Sequence, residues 1–169
     1  MEGAAVTVEG LRAAGRRGST LFAACCAERL RAVLRHVPSG AAPLVAGVAL
    51  TELWRILEGL ERPDPRRLQE LSTACWTLVE IEPVEGVRTE HLEALVAAAH
   101  EAIETYLSGD PRHALETAKH CRTATAEDEL DRQARDAADI AAAAAALAET
   151  ATKLRQRAEK DGARLFNAA

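Results

Sequence analysis

With 169 residues the chain has room for one domain with a core of its own, and nothing in its size demands a metal or disulfide to hold that core together. Apolar residues make up 48% of it but aromatic ones only 3%, a balance rich in alanine that suits closely approaching helices better than a sandwich of strands. A net charge of −5 argues against a general nucleic-acid binder, which would carry a basic face.

The charge is unevenly spread. Residues 1–67 hold ten Arg against seven acids, residues 68–118 two Arg against ten acids, and the remainder balances. The middle third therefore sums to −8. Such a surface steers a basic partner, and it equally serves a small protein as a solvated face. The opening MEGAAVTVEG lacks the basic start and apolar block of a secretory leader. The Ala137–Ala148 run is too short and too weakly hydrophobic to cross a bilayer. A cytoplasmic protein is expected, and the dominance of Arg over Lys suggests a GC-rich bacterial coding sequence. Cys25, Cys26, Cys75 and Cys121 form no CxxC pair and read as reduced core thiols.

Along the chain, Val6–Ala14 predicts a short opening helix within a loose N-terminal segment over 1–18, broken at Gly15-Arg16-Arg17-Gly18. Ser19–Val37 is the organising element. Phe22, Cys26, Leu30, Val33 and Val37 recur at three- and four-residue steps, with Leu21, Cys25 and Leu34 at the margins of that stripe. Pro38-Ser39-Gly40 ends it. A second helix over 42–60 carries Val45, Leu53, Leu57 and Leu60, with Trp54 near its edge.

Asp64-Pro65 is a helix start, since the Asp side chain accepts from free backbone N–H groups and Pro loses nothing at the first helical position. The helix it opens bears Leu68, Leu71, Cys75 and Leu78, and Pro83 stops it. Thr89 is the expected cap of a strongly patterned helix over 90–107, with Leu92, Leu95, Val96, Ala99 and Ile103 inward. Asp110-Pro111 repeats the start and launches an unusually polar helix toward Leu130. From Asp136 onward the chain reads as one long Ala-rich helix, 136–169, weakened near Gly162. Ile140, Leu147 and Leu154 stand seven apart with Ala144, Ala151 and Ala158 four residues after each. That seam fits either an intramolecular groove or a homodimer contact. Leu165 and Phe166 form an apolar tail that needs a place to dock.

The fold class is thus all-α, a single-domain bundle of about six or seven mostly antiparallel helices. The run Leu21-Phe22-Ala23-Ala24-Cys25-Cys26-Ala27-Glu28-Arg29, then Leu53-Trp54 with Ile56-Leu57, Gly86-Val87, Tyr106-Leu107-Ser108-Gly109 and Ala114-Leu115-Glu116 follow one another in an order that resembles the YjaG-like family of small bacterial helical proteins, a domain of unknown function. After Gly-Val the family shows a Tyr-Pro step with an Asp shortly beyond, where this chain has Arg88-Thr89 and then His91-Leu92. The resemblance implies an all-α fold and brings no activity with it.

Three polar clusters are candidates for chemistry. His113, Glu116 and His120, with Thr117, share one side of a helix and present two imidazoles and a carboxylate to a divalent metal, although neither HExxH nor a paired ExxH signature is present. His100 and Glu104, with Glu101 and His91 on the same helix, are candidates for proton transfer. Glu28 lines a pocket or, with Arg29, pairs across to another helix and fixes its register. Cys25 and Cys26 point in different directions on a helix and do not ligate one ion together. Phosphate loops and nucleophile elbows are absent from the sequence.

These features lead to a non-catalytic protein-binding module, such as an inhibitor, immunity-type or adaptor protein, whose acidic helical face meets a basic protein. No cofactor, nucleic acid or membrane partner is expected. The alternative is a small helical enzyme or metal-binding protein with a His/Glu site.

Overall fold

The computed structural model describes residues 5–80, 88–125, 128–143 and 145–167. Among them there are eight α-helices and no strand. In chain order these are α1 (Val8–Ala13), α2 (Gly15–Arg31), α3 (Ala41–Leu57), α4 (Pro65–Thr77), α5 (Thr89–Ser108), α6 (Pro111–Ala124), α7 (Glu129–Ala142) and α8 (Leu147–Asn167), with a 3-10 turn at Ala32–Arg35 between α2 and α3.

The bundle is built around α2. Every residue from Gly18 to Leu30 is buried, so beyond its exposed first turn this helix has no solvent side until Arg31. Phe22, Cys26 and Leu30, the predicted stripe, are fully enclosed, and so are Ala23, Ala24 and Ala27 on its other sides. Small residues there let α3, α5, α6, α7 and α8 all reach the same axis. Ser19 and Thr20 survive burial because each hydroxyl donates to a backbone carbonyl, Ser19 Oγ to Leu11 O at 2.7 Å and Thr20 Oγ1 to Arg16 O at 2.8 Å.

Local chemistry sets the starts of α4 and α6 as read. Asp64 accepts from the backbone N–H groups of Arg66 and Arg67, and Asp110 from that of Arg112, each with Pro at the first helical position. The Arg112 side chain also donates to Asp110, and this pairing holds the Asp110 carboxyl down at about 2. At α5, Thr89 is already helical and no side chain caps the start. Helix α4 ends at Thr77 and not at Pro83, which with the connection up to residue 87 lies outside the described residues.

Four expectations are corrected. The opening is not loose over residues 8–18. Leu11 of α1 is buried, and Gly15-Arg16-Arg17-Gly18 forms the first turn of α2 instead of a break. The break is confined to Ala14 and the entry into Gly15, whose φ of 73° a side chain would resist. The polar helix α6 stops at Ala124 because Thr125 turns extended, its hydroxyl donating to Cys121 O. Finally, the long terminal helix is two helices, separated after Ala142 and resumed at Leu147.

That division lets both α7 and α8 lie against α2. Ile140, on α7, and Leu154, on α8, are each buried within the chain's own core, as are Ala151 and Ala158. The homodimer seam through Ile140, Leu147 and Leu154 therefore does not exist as one face. Ile140 and Leu154 pack inside the molecule, Leu147 is half-buried against the core, and Ala144 lies outside the described residues. Gly162 does not weaken α8, which continues to Asn167. A Cβ at Gly162 would lie 2.4 Å from Arg29 O, so glycine is what allows α8 to touch the α2 backbone.

The largest polar group in the core is Arg29, fully buried. Its Nη2 donates to Glu129 Oε1 at 2.6 Å and its Nη1 to Asp136 Oδ2 at 2.5 Å. Glu129, Gln133, Asp136 and Ile140 are the buried line of α7, spaced four, three and four residues apart, so α7 meets α2 with a polar face. Gln133 ties this line to α6 by donating to Ala118 O at 3.0 Å. Arg157 of α8 completes it with a 2.6 Å contact to Asp136 Oδ1. Phe166 docks edge-on against His91, with ring centroids 5.3 Å apart.

Candidate functional site

Helix α5 packs between α4 and α6 and lays its inner side on α2 and α3. Leu92, Leu95, Val96, Ala99 and Ile103 fill that inner side. The three- and four-residue periodicity then puts Glu90, Glu93, Ala97, His100, Glu101 and Glu104 on one line along α5, exposed at Glu90, half-buried at Glu93, His100, Glu101 and Glu104, and buried at Ala97. At its N-terminal end the line runs into a cleft of about 500 Å³ between the end of α4, α5 and α6, bounded by Val79, Glu80, Glu90, Glu93 and His120. Beside the line stands Trp76, 60% exposed, its ring 5.1 Å from that of His100. Glu90 and Glu93 have no ion-pair partner among the described residues. Glu116, across on α6, is held at 3.3 Å by Lys119. Glu82 and Glu85, which add to the acidity of this third of the chain, lie outside the described residues.

His100 and Glu104 converge on Ser72 of α4, a residue that sequence spacing did not single out. Ser72 Oγ lies 2.5 Å from Glu104 Oε1 and 2.9 Å from His100 Nδ1, and His100 Nδ1 also lies 3.1 Å from Ser72 O. A carbonyl and a carboxylate only accept, so Nδ1 carries the hydrogen toward Ser72 and the serine gives its single hydrogen to Glu104. A nucleophilic serine would instead donate to the imidazole, and it would not be fully buried as Ser72 is. The three groups form a latch between α4 and α5.

The His113, Glu116 and His120 cluster does not close on a common point. His113 Nδ1 donates to Glu101 Oε2 at 2.6 Å, which joins α6 to α5. Among the described residues no three His, Cys, Asp or Glu side chains gather as ligands of one ion. Burial pushes the His120 imidazole down, Lys119 and His100 push the same way, and Glu101 and Glu116 oppose them. Burial also lowers His91, with Arg88 adding to the effect.

Glu28 is buried, where partial exposure is the ordinary expectation for a helical Glu. Its Oε2 accepts from Trp54 Nε1 at 2.7 Å and faces Arg31 Nη1 at 3.5 Å. Burial raises its carboxyl above the usual range, against the pull of Arg31 and the Trp54 hydrogen bond. The four cysteines are free and buried, and burial pushes the Cys75 and Cys121 thiols up to about 12, far from thiolate chemistry.

Comparison with protein-family models, curated proteins and solved structures gives no match. No helix among the described residues is long and apolar enough to cross a membrane. Geometry and charge are therefore what point to a function.

Proposed function

We propose that this chain is a non-catalytic binding protein whose acidic α5 face receives a basic protein, as an inhibitor, immunity-type or adaptor protein does. What carries the reading is the pair Glu90 and Glu93, two carboxylates on one line of α5, the first exposed and the second half-buried, that form no ion pair among the described residues. Charges that stabilise a fold are normally paired, whereas unpaired ones on one face set up a field that recruits an opposite charge and speeds encounter. Val79, Ala94 and Ala97 give the adjoining cleft an apolar floor, and Trp76 stands exposed nearby, the kind of residue that anchors an interface.

The test is retention of protein from an extract of the source cells on immobilised chain, at low and at raised ionic strength. A basic protein held at low salt, released as the Debye length shortens, and not held by the Glu90→Lys, Glu93→Lys variant is the expected result. Retention that ignores both salt and charge reversal refutes the electrostatic interface.

A further inference from the structure

At the other end of α5, its last turn meets the start of α2 and the connection that leaves α3, and a cleft of about 350 Å³ lies between them. Arg16, Arg17, Ile56, Arg62, Pro63 and Tyr106 line it. Two glycines allow this convergence. Gly15 enters α2 at its positive φ, so the two arginines after it fall in the first turn of the helix. Gly109 closes α5 at a φ of 72°, and a Cβ there would lie 3.0 Å from Arg16 Nε, so the bare glycine gives the Arg16 side chain its room. Arg17 is anchored at the end of α3, its Nη2 donating to Leu57 O at 2.6 Å.

Arginines that serve the fold of this chain find carboxylates, as Arg29, Arg155 and Arg157 do. Arg16, Arg17 and Arg62 form no ion pair among the described residues. The acid on the cleft wall, Glu61, is already paired with Arg55 at 3.3 Å. Three guanidiniums against one carboxylate leave at least two positive charges unanswered among the described residues of the wall. The start of α2 adds to them, since no acid stands in its first turn and no side chain caps it. Ile56, Pro63 and the ring of the half-buried Tyr106 supply an apolar wall beside this charge.

We propose that this cleft binds a small phosphate monoester, its phosphoryl oxygens held by Arg16, Arg17 and Arg62 and its organic part laid against Tyr106, Ile56 and Pro63. Charge selects the class. A carboxylate or a sulfate ester brings one negative charge, whereas a phosphate monoester near neutral pH brings about two, enough to answer what the wall leaves over. The guanidinium fork suits the same group, because its donors match phosphate oxygens two at a time. Size limits the organic part. A volume of about 350 Å³ stands at the low end of ligand sites and leaves room for a single ring or a short chain beside the phosphoryl group.

Isothermal titration of the intact chain tests this with phenyl phosphate as the probe, and saturation-transfer NMR detects binding that releases no heat. Phenyl phosphate is expected to saturate a single site. Phenyl sulfate, of the same shape with one charge fewer, is expected to bind about tenfold more weakly, the size of loss that follows removal of one charged interaction. Inorganic phosphate, which has no ring to bury, is expected to lose about as much. Arg16→Gln and Arg62→Gln each lower the affinity for phenyl phosphate about tenfold. Both side chains are exposed, so the thermal midpoint without ligand stays where it is. Arg66→Gln, at an exposed arginine of α4 outside the cleft, leaves the affinity unchanged. No saturation by either readout at millimolar phenyl phosphate, equal binding of phenyl sulfate, or a loss at Arg66→Gln as large as that at Arg16→Gln overturns the proposal. Inorganic phosphate that binds as tightly as phenyl phosphate overturns the ester in favour of a bare phosphate site.

Discussion

Around Arg29, charge is enclosed and answered. Glu129 and Asp136 close on the guanidinium, Arg157 takes the other oxygen of Asp136, and Gln133 fills the space between them. Along one line of α5, Glu90 and Glu93 stand unanswered among the described residues. Both regions are made from the same residue types at the same helical spacing. The difference is what lies opposite: for the α7 line it is α2, with Arg29, the one buried Arg among the described residues, and for Glu90 and Glu93 it is the open cleft beside the end of α4. Charge in the first region holds three helices in register, and charge in the second is left free to act on another molecule.

The comparison is broken most directly at Arg29. Replacing it with Met keeps the bulk, strands Glu129 in the core and leaves Asp136 with Arg157 alone. The expected loss is roughly 3–5 kcal/mol in denaturant unfolding, the cost of stranding one half of a buried ion pair. A loss no larger than that of a surface substitution would mean that the network does not hold α7 against α2.

Gly162 gives the next largest effect, and two terms compete there. Alanine is the better helix former by about 1 kcal/mol. Its Cβ would fall 2.4 Å from Arg29 O, however, and a backbone atom in a fully buried helix does not move aside cheaply. Gly162→Ala is therefore expected to destabilise by roughly 1–3 kcal/mol, read as a lowered thermal midpoint. A raised midpoint would show that α8 does not approach α2 so closely.

How much of this was legible in the sequence follows the same division. Phe22, Leu30, Leu95 and Ile103 announce their helices because apolar side chains recur with the helical period, and Asp64-Pro65 and Asp110-Pro111 announce their starts by capping chemistry. The α7 line was invisible to that reasoning, since Glu129, Gln133 and Asp136 look like a solvated face until Arg29 is placed opposite them. Reading residues 136–169 as one helix has a physical cause too. Alanine is the best helix former, so an Ala-rich run carries no stop signal, and the break after Ala142 is set by the need to bury both Ile140 and Leu154 against the same core. At the candidate site, His100 and Glu104 were visible as neighbours on one helix. Ser72 was not, because it reaches them from α4 across a gap of 28 residues.

The smallest expected effect on stability is the most telling one for function. If Glu90 and Glu93 contribute nothing to the fold, Glu90→Gln together with Glu93→Gln leaves the unfolding free energy within about 0.5 kcal/mol of the unsubstituted chain. The sign should be slightly favourable at low salt, where removing two like charges from an acidic third relieves repulsion, and that gain should vanish as salt screens what remains. Arg29→Met offers the contrast, because charges sealed from water are screened far less and its deficit should persist at high salt. A double Gln variant as damaged as Arg29→Met would place these carboxylates among the groups that build the fold. An unharmed variant that also loses the basic partner would assign them to the surface the partner meets.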